Sequence, residues 1–380
     1  MNGSSVFTGS SYVYIYVSGD LTVAGTSTFN NPPTWTYVYM ANTSSTLASP
    51  QHLSVTSTAT GAWSYFYVNA NTVSQLTANS QWSCLGTGYT VQIDGTLDCG
   101  AYSVGGSNPF TLSSGGGLYT ASTTGVNGAI TTSGTKTFNT GAKYGFNGGA
   151  TQVTGSNMPA ALVAPGGIYI NKTAGTTVTL SQSTTNTNTT TALSLTSGIL
   201  ATGAYTLTIP GAAAAVSGGS ASSFVNGTLL KTIAGSTVVN YEVGDASYAP
   251  MQLTMNTAGS AGSLGVKVSA GLHPNQATSS FMATAMVNHY WTITNSGAAG
   301  PATVVPKGTY VVGDIIGGTN ASFMTNEYTG GAWLGTPITS TNTTAPYSTA
   351  PNTGISLATL AGDYIYGPVS YTHLTLPTIL

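Results

Sequence analysis

The chain has 380 residues, six basic and eight acidic side chains, a formal net charge of −2 and only 4% charged residues, where about 25% is ordinary for a soluble domain. So few charges supply neither a basic footprint for nucleic acid nor an acidic tail, and no run of 18 apolar residues marks a membrane-spanning helix. Polarity comes instead from Ser, Thr, Asn and 49 glycines. Disordered low-complexity chains share that flavour, but 41% hydrophobic residues, 22 tyrosines and apolar side chains at period two argue for ordered β-structure. Long helices are excluded, because no dozen residues keep a 3.6-residue stripe free of Gly, Thr and Asn clusters.

The opening Met-Asn-Gly-Ser-Ser has neither the basic region nor the apolar core of a signal peptide. It runs into a strand pattern at Tyr12–Val17, as expected of a piece of a longer protein. Strands punctuated by Gly19 and Gly25 follow to Phe29. Tyr37–Met40 and Trp63–Val68 read as aromatic strands, the second with Trp63, Tyr65 and Tyr67 on one face and Phe66 and Val68 on the other. Val91, Ile93, Leu97, Tyr102 and Val104 carry the first clear copy of a repeated phrase. Phe110–Leu118, Gly128–Ile130 and Thr135–Asn139 continue the rhythm, and Gln152–Pro159 makes a turn. Ile168–Ile170 and Val178–Leu180 lead to the second copy in Leu193–Pro210. There Gly198-Ile-Leu200-Ala-Thr-Gly203-Ala204-Tyr205 repeats Gly95-Thr-Leu97-Asp-Cys-Gly100-Ala101-Tyr102, both reading Gly-x-Leu-x-x-Gly-Ala-Tyr.

A strand–turn–strand unit that recurs is the mark of stacked architecture. Residues 1–215 are therefore expected to form a parallel β-helix or β-solenoid. Its inward Val, Ile, Leu and Tyr side chains form the core and its outward Thr, Ser and Asn form ladders. A core of that kind needs no surface charge. After the small-residue stretch Ala212–Gly219 the rhythm changes. Val238–Val243, Met251–Met255, Leu264–Val268, Val287–Thr294, Thr309–Val312, Gly354–Leu357 and Tyr364–Tyr366 are strand candidates at irregular spacing, so 220–367 reads as an antiparallel β-sandwich. Val287, His289, Trp291 and Ile293 share one face, and Trp291 is the expected centre of that core. Residues 369–380 look like one reading frame of a transposase sequencing adapter; they are expected to be non-native and are left out, His373 with them.

Several stretches in combination resemble the β-strand-repeat surface proteins of bacteria that export through the type IX pathway. They are Thr131–Pro159 (Gly134-Thr-Lys-Thr-Phe-Asn-Thr-Gly-Ala-Lys-Tyr-Gly-Phe-Asn-Gly148, then Gln152-Val-Thr-Gly155), the Leu193–Ile209 unit and Ser223-Phe-Val-Asn-Gly-Thr-Leu229. Val243–Leu253, His273-Pro-Asn275, Asn288–Gly297 and Gly362–Gly367 are similar to the module that follows the repeats there. The resemblance spans about Thr87 to Gly367 and rests on the order of these motifs. It implies a large secreted or surface-attached, adhesin-like protein without assigned catalytic residues. The chain departs from the family in lacking a signal peptide and a sorting domain.

Chemistry-bearing residues are few. Asp94 and Asp98 could pair as a glycosidase dyad, but Asp98 aligns with Ala201 in the second copy, and Asp also suits turns. Glu242 and Asp245 flank a strand-to-turn step in the same way. No Asp-x-Asp spacing supports calcium, and His52, His273 and His289 have no nearby His or Cys partners for zinc. No Gly-x-Ser-x-Gly elbow is present, and neither Gly115–Gly117 nor Gly148–Gly149 precedes a phosphate-binding helix. Cys84 and Cys99 could oxidise outside the cell, closing a loop worth about 3 kcal/mol; Thr202 stands at the Cys99 position of the other copy, so both states stay open. Tyr12, Tyr14 and Tyr16 on one strand face, and Trp35, Tyr37 and Tyr39 on another, could stack on sugar rings or simply form core. No catalytic, cofactor-binding or metal residue is assigned. The expectation is a non-catalytic extracellular structural or adhesion protein at the bacterial cell surface. Its expected partner is a surface polysaccharide or a neighbouring cell-surface protein; the alternative is a carbohydrate-binding or polysaccharide-degrading β-helix.

Overall fold

The computed structural model describes residues 12–26, 35–56, 64–82, 89–257, 261–300, 302–317 and 319–370. It is about 50% strand and 5% helix, with a β-solenoid of about 9 turns and further antiparallel sheets. Two compact units divide the chain: Met1–Pro210 with Ala214–Ser223, and Gly211–Ala213 with Phe224–Leu380.

The first unit is the solenoid. One parallel stack runs Tyr12–Val17, Trp35–Met40, Tyr65–Val68, Val91–Ile93, Phe110–Leu112 and Lys136–Phe138. A second runs Leu21–Val23, Gln51–Val55, Val73–Leu76, Thr96–Asp98, Gly117–Thr120, Lys143–Phe146, Gly167–Asn171, Leu193–Ser197 and Val216–Gly218. A third face carries Gln152–Val153, Thr177–Thr179 and Ile199–Pro210, the last also pairing Thr184–Asn186. Parallel register turns equivalent positions into columns. Val17, Met40, Val68, Ile93, Leu112 and Phe138 form one. Leu97, Leu118, Tyr144, Ile168 and Leu193 form another, all five buried.

The repeated glycine phrase has a backbone cause. A Cβ on Gly95 would fall 2.1 Å from the Asn69 carbonyl oxygen and 2.4 Å from that of Thr72, so only glycine lets the rungs close there. Its counterpart Gly198 has φ +88° and would meet the Lys172 Cβ at 2.6 Å. The two copies nonetheless serve different faces. Thr96–Asp98 lies in the second stack, Ile199–Pro210 in the third.

The expected tyrosine spine needs correction. Tyr102 and Tyr205 are 38% and 41% exposed, whereas Leu97, Val104, Leu200 and Leu207 are buried. Tyr102 follows a turn and Tyr205 lies within the strand Ile199–Pro210, both at outward positions; a ring with a polar tip suits either environment. Tyr144 is the tyrosine that enters the inward column, its hydroxyl donating to the Asn139 carbonyl at 2.8 Å.

The second unit contains two antiparallel sheets. One is ordered Val225–Thr232, Ser263–Ala270, His289–Ser296, Gly362–Gly367, Met324–Thr329 and Ala332–Trp333. The other is ordered Val238–Tyr241, Met251–Met255, Thr303–Tyr310, Tyr347–Pro351 and Ser340–Asn342. Val287, His289, Trp291 and Ile293 are all buried, as their alternation predicts. Trp291 lies 5.0 Å from the Tyr366 ring on its own sheet and 6.4 Å from Tyr310 on the other. Its indole N–H donates to the Ala249 carbonyl at 2.9 Å, which satisfies the one polar atom that burial would otherwise orphan. Val369 and Ser370, within the stretch expected to be foreign, pair with Phe281 and Ser280; residues 371–380 lie outside the described ones.

Gly95→Ala is expected to cost the solenoid about 2–4 kcal/mol, since backbone oxygens rather than a movable side chain must give way. Gly149→Ala, whose Cβ meets nothing closer than Thr173 Oγ1 at 3.4 Å, should stay within about 0.5 kcal/mol. Denaturant unfolding of the two variants checks the difference.

Candidate functional site

Parallel register gathers the early tyrosines into an outward-facing grid. Tyr12 pairs Trp35; Tyr14 pairs Tyr37, which pairs Tyr65; Tyr16 pairs Tyr39, which pairs Tyr67. The last column continues as Gln92, Thr111 and Thr137, so the grid is confined to the first rungs. Tyr12, Tyr14 and Tyr16 are 60%, 56% and 66% exposed. Across rungs the rings stack: Tyr37–Tyr65 at 4.6 Å and 9°, Tyr16–Tyr39 at 4.8 Å and 12°, Tyr39–Tyr67 at 4.9 Å and 10°. Coplanar rings lying side by side could not come so close, so each phenol turns a face to its neighbour. The inner columns thus present ring edges and hydroxyls rather than free faces. Burial, then neighbouring phenols, pushes the Tyr37 and Tyr39 hydroxyls up. The same causes, with Asp94 the smallest, push Tyr67 up to about 12. These three stay protonated and uncharged at neutral pH. Trp63 lies outside the described residues.

The acidic residues are held in structural bonds. Asp94 accepts both of its bonds from Gln92 Nε2, at 2.9 and 3.1 Å, and lines a cleft of about 360 Å³ with Thr72, Ser114 and Lys143 but no second carboxylate. Asp98 is buried and accepts from Gln75 Nε2 at 2.9 Å, the Gly100 N–H at 2.9 Å and Asn147 Nδ2 at 3.0 Å. The fold does not bring the two into one cleft. Glu242 pairs with buried Lys231 at 2.7 Å, and Asp245 caps the Ser247 N–H at 3.0 Å. The glycine runs pack rungs: a Cβ on Gly116 would meet the Ile93 carbonyl oxygen at 2.5 Å, one on Gly148 that of Ala121 at 2.9 Å. Cys99 is a buried free thiol whose pKa burial pushes up, with Asp98 adding to it; Cys84 lies outside the described residues.

The histidines separate. His52 faces Asp20 across an exposed 3.3 Å contact. His289 is buried edge-on to Trp291 at 4.7 Å, its Nε2 without a partner, and burial pushes its pKa below the ordinary range. His273 is built into a cluster. Its Nδ1 accepts the Asn275 N–H at 3.1 Å, so Nε2 carries the proton and donates to Asp363 Oδ2 at 3.0 Å. Asp363 Oδ1 accepts from Thr292 Oγ1 at 2.6 Å. The rings of Tyr290, Tyr328 and Trp333 stand 4.8–4.9 Å from the imidazole. Both ring nitrogens of His273 are occupied. Among the described residues no group of three or more His, Cys, Asp or Glu lies close enough to hold a metal ion, and no helix is long and apolar enough to cross a membrane.

Two buried charges were not singled out in the sequence. Lys172 donates to the Gly148 and Ala150 carbonyls at 3.0 and 2.8 Å and to Gln152 Oε1; burial pushes its pKa down to about 8. Glu327 is buried with Oε1 unpartnered, and desolvation pushes its pKa up to about 7.

No family model matches the chain, and neither a curated protein nor a solved structure matches it.

Glu327 generates a pH prediction. Its folded pKa lies above the ordinary 4.5, so its contribution is fully present below pH 4.5, declines as pH rises and is lost above about 7. Glu327→Gln should remove that decline and raise stability at pH 8 by on the order of 3 kcal/mol relative to the parent. Chemical denaturation at pH 4.5, 6 and 8 measures it.

Proposed function

We propose that the chain is a non-catalytic extracellular structural and adhesion protein of a bacterial cell surface, with the solenoid as a rigid stalk and the tyrosine grid as its adhesive face. The observation that carries this reading is the grid itself. Large aromatic side chains point outward in register across three rungs, exposed at Tyr12, Tyr14, Tyr16 and Trp35 and half-buried at Tyr37, Tyr39, Tyr65 and Tyr67, although Thr111 and Thr137 show that a small polar residue fills an equivalent outward position. Exposed aromatic patches of this size mark contact surfaces. A grid of phenol rings and hydroxyls, with no charged side chain among its aromatic positions, suits an uncharged, hydroxyl-rich partner, which favours a neutral surface polysaccharide. The resemblance to β-strand-repeat proteins exported by the type IX pathway supports the same placement outside the cell. Polysaccharide degradation is the weaker reading, because Asp94 and Asp98 occupy different environments and each is held by neighbouring donors.

Retention on insoluble neutral polysaccharide (cellulose and chitin beads) tests this. A Y14S/Y37S/Y39S variant should lose about tenfold in retention, as expected when several aromatic contacts are removed, with its solenoid still folded by circular dichroism. Equal retention by the variant, or release of reducing ends that Asp94→Asn abolishes, would overturn the proposal.

A further inference from the structure

Beside the His273 cluster the second unit carries two adjoining clefts. One, of about 460 Å³, is lined by Thr292, Thr294, Asn295, Tyr328 and Asp363. The other, of about 530 Å³, is lined by Asn275, Ser280, Tyr328 and Trp333. Tyr328 lines both, and Gly331, at φ +85°, shapes the hairpin turn between them. These volumes lie in the range of small-ligand sites.

We infer that this pair of clefts binds a neutral pyranoside through a vicinal diol, with the Asp363 carboxylate as the acceptor. Each Asp363 oxygen accepts one internal bond, Oδ1 from Thr292 and Oδ2 from His273. A carboxylate oxygen offers two lone-pair sites, so one on each remains, and Asp363 lines the cleft with its side chain 24% exposed. Two parallel acceptors with fixed orientation match two adjacent sugar hydroxyls, both of which donate. The orientation is set before binding: Thr292 holds one oxygen, and the His273 tautomer fixed by the Asn275 N–H holds the other. Tyr328 and Trp333, their rings 5.1 Å apart at 62°, supply apolar walls for the C–H faces of a pyranose. Thr294 and Asn295 supply further uncharged polar groups. No cationic side chain lines either cleft, which disfavours an anionic ligand. The inference is independent of the tyrosine grid, which belongs to the other unit.

Saturation-transfer NMR with three probes tests it: methyl α-mannopyranoside, methyl β-galactopyranoside and methyl β-glucopyranoside, each beside its permethylated form. At least one free glycoside should show saturable binding, its permethylated form none, and Asp363→Asn should weaken it by about tenfold, as loss of hydrogen bonds to a charged acceptor requires. Absence of binding by all three probes, equal binding of a permethylated form, or affinity unchanged in a folded Asp363→Asn would overturn the inference. The permethylated comparison needs no variant and stands even if that substitution fails to fold. A grid that binds no polymer would leave this result untouched, and failure here would leave the grid's retention assay intact.

Discussion

Each rung of the solenoid passes its backbone N–H and C=O groups to the rungs on either side, and this pairing at about 4.8 Å constrains everything attached to it. Equivalent side chains are forced into columns, so a residue must be compatible with its own kind a few ångströms away. Aliphatic columns such as Val17–Met40–Val68–Ile93–Leu112 meet that condition by burying apolar surface. Like charges repeated at that spacing would repel. A low charge content is compatible with that constraint. The exceptions confirm the cost: Asp98 is surrounded by Gln75, Gly100 and Asn147 donors, and Lys172 is wrapped by three oxygens.

The second unit escapes the column rule, because antiparallel strands bring unlike residues together. Trp291 is buried against rings from both sheets, Tyr241 donates its hydroxyl to the Leu264 carbonyl at 2.8 Å, and Lys231 faces Glu242. Buried polar atoms without partners occur in both units, among them Gln51 Oε1 and Trp82 Nε1 in the first and His289 Nε2 and Glu327 Oε1 in the second; desolvation moves the last two groups toward their neutral forms.

Period-two alternation made the strands legible, and the doubled Gly-x-Leu-x-x-Gly-Ala-Tyr phrase made stacking legible, because the glycines answer to backbone geometry. The direction of the tyrosines was not legible. A phenol satisfies burial as well as exposure, and Tyr144 and Tyr102 look alike in sequence while one is in the core and the other outside. The His273 cluster was hidden by distance: 90 residues separate His273 from Asp363, and only the pairing of strands 289–296 and 362–367 brings Thr292 beside that carboxylate. Lys172 gave no local signal either, since its ligands are main-chain carbonyls and an amide.

Exposed tyrosines on a strand invite the expectation of sugar rings lying flat on aromatic faces. Rung spacing argues otherwise within the grid. At separations of 4.6–5.0 Å the faces of Tyr14, Tyr37 and Tyr65 are turned toward one another, and a ligand approaching from outside meets edges and hydroxyls. Spacing along a strand is wider, with Tyr37 and Tyr39 at 6.5 Å and Tyr65 and Tyr67 at 6.3 Å. On the adhesive function proposed for it, such a lattice would act through many weak, repeated hydrogen bonds and edge contacts, an arrangement suited to an extended partner. The Asp363 cleft has the opposite character, a single oriented acceptor pair beside two rings at an angle. On the inference drawn for it, its ligand would be a single sugar residue rather than a polymer surface.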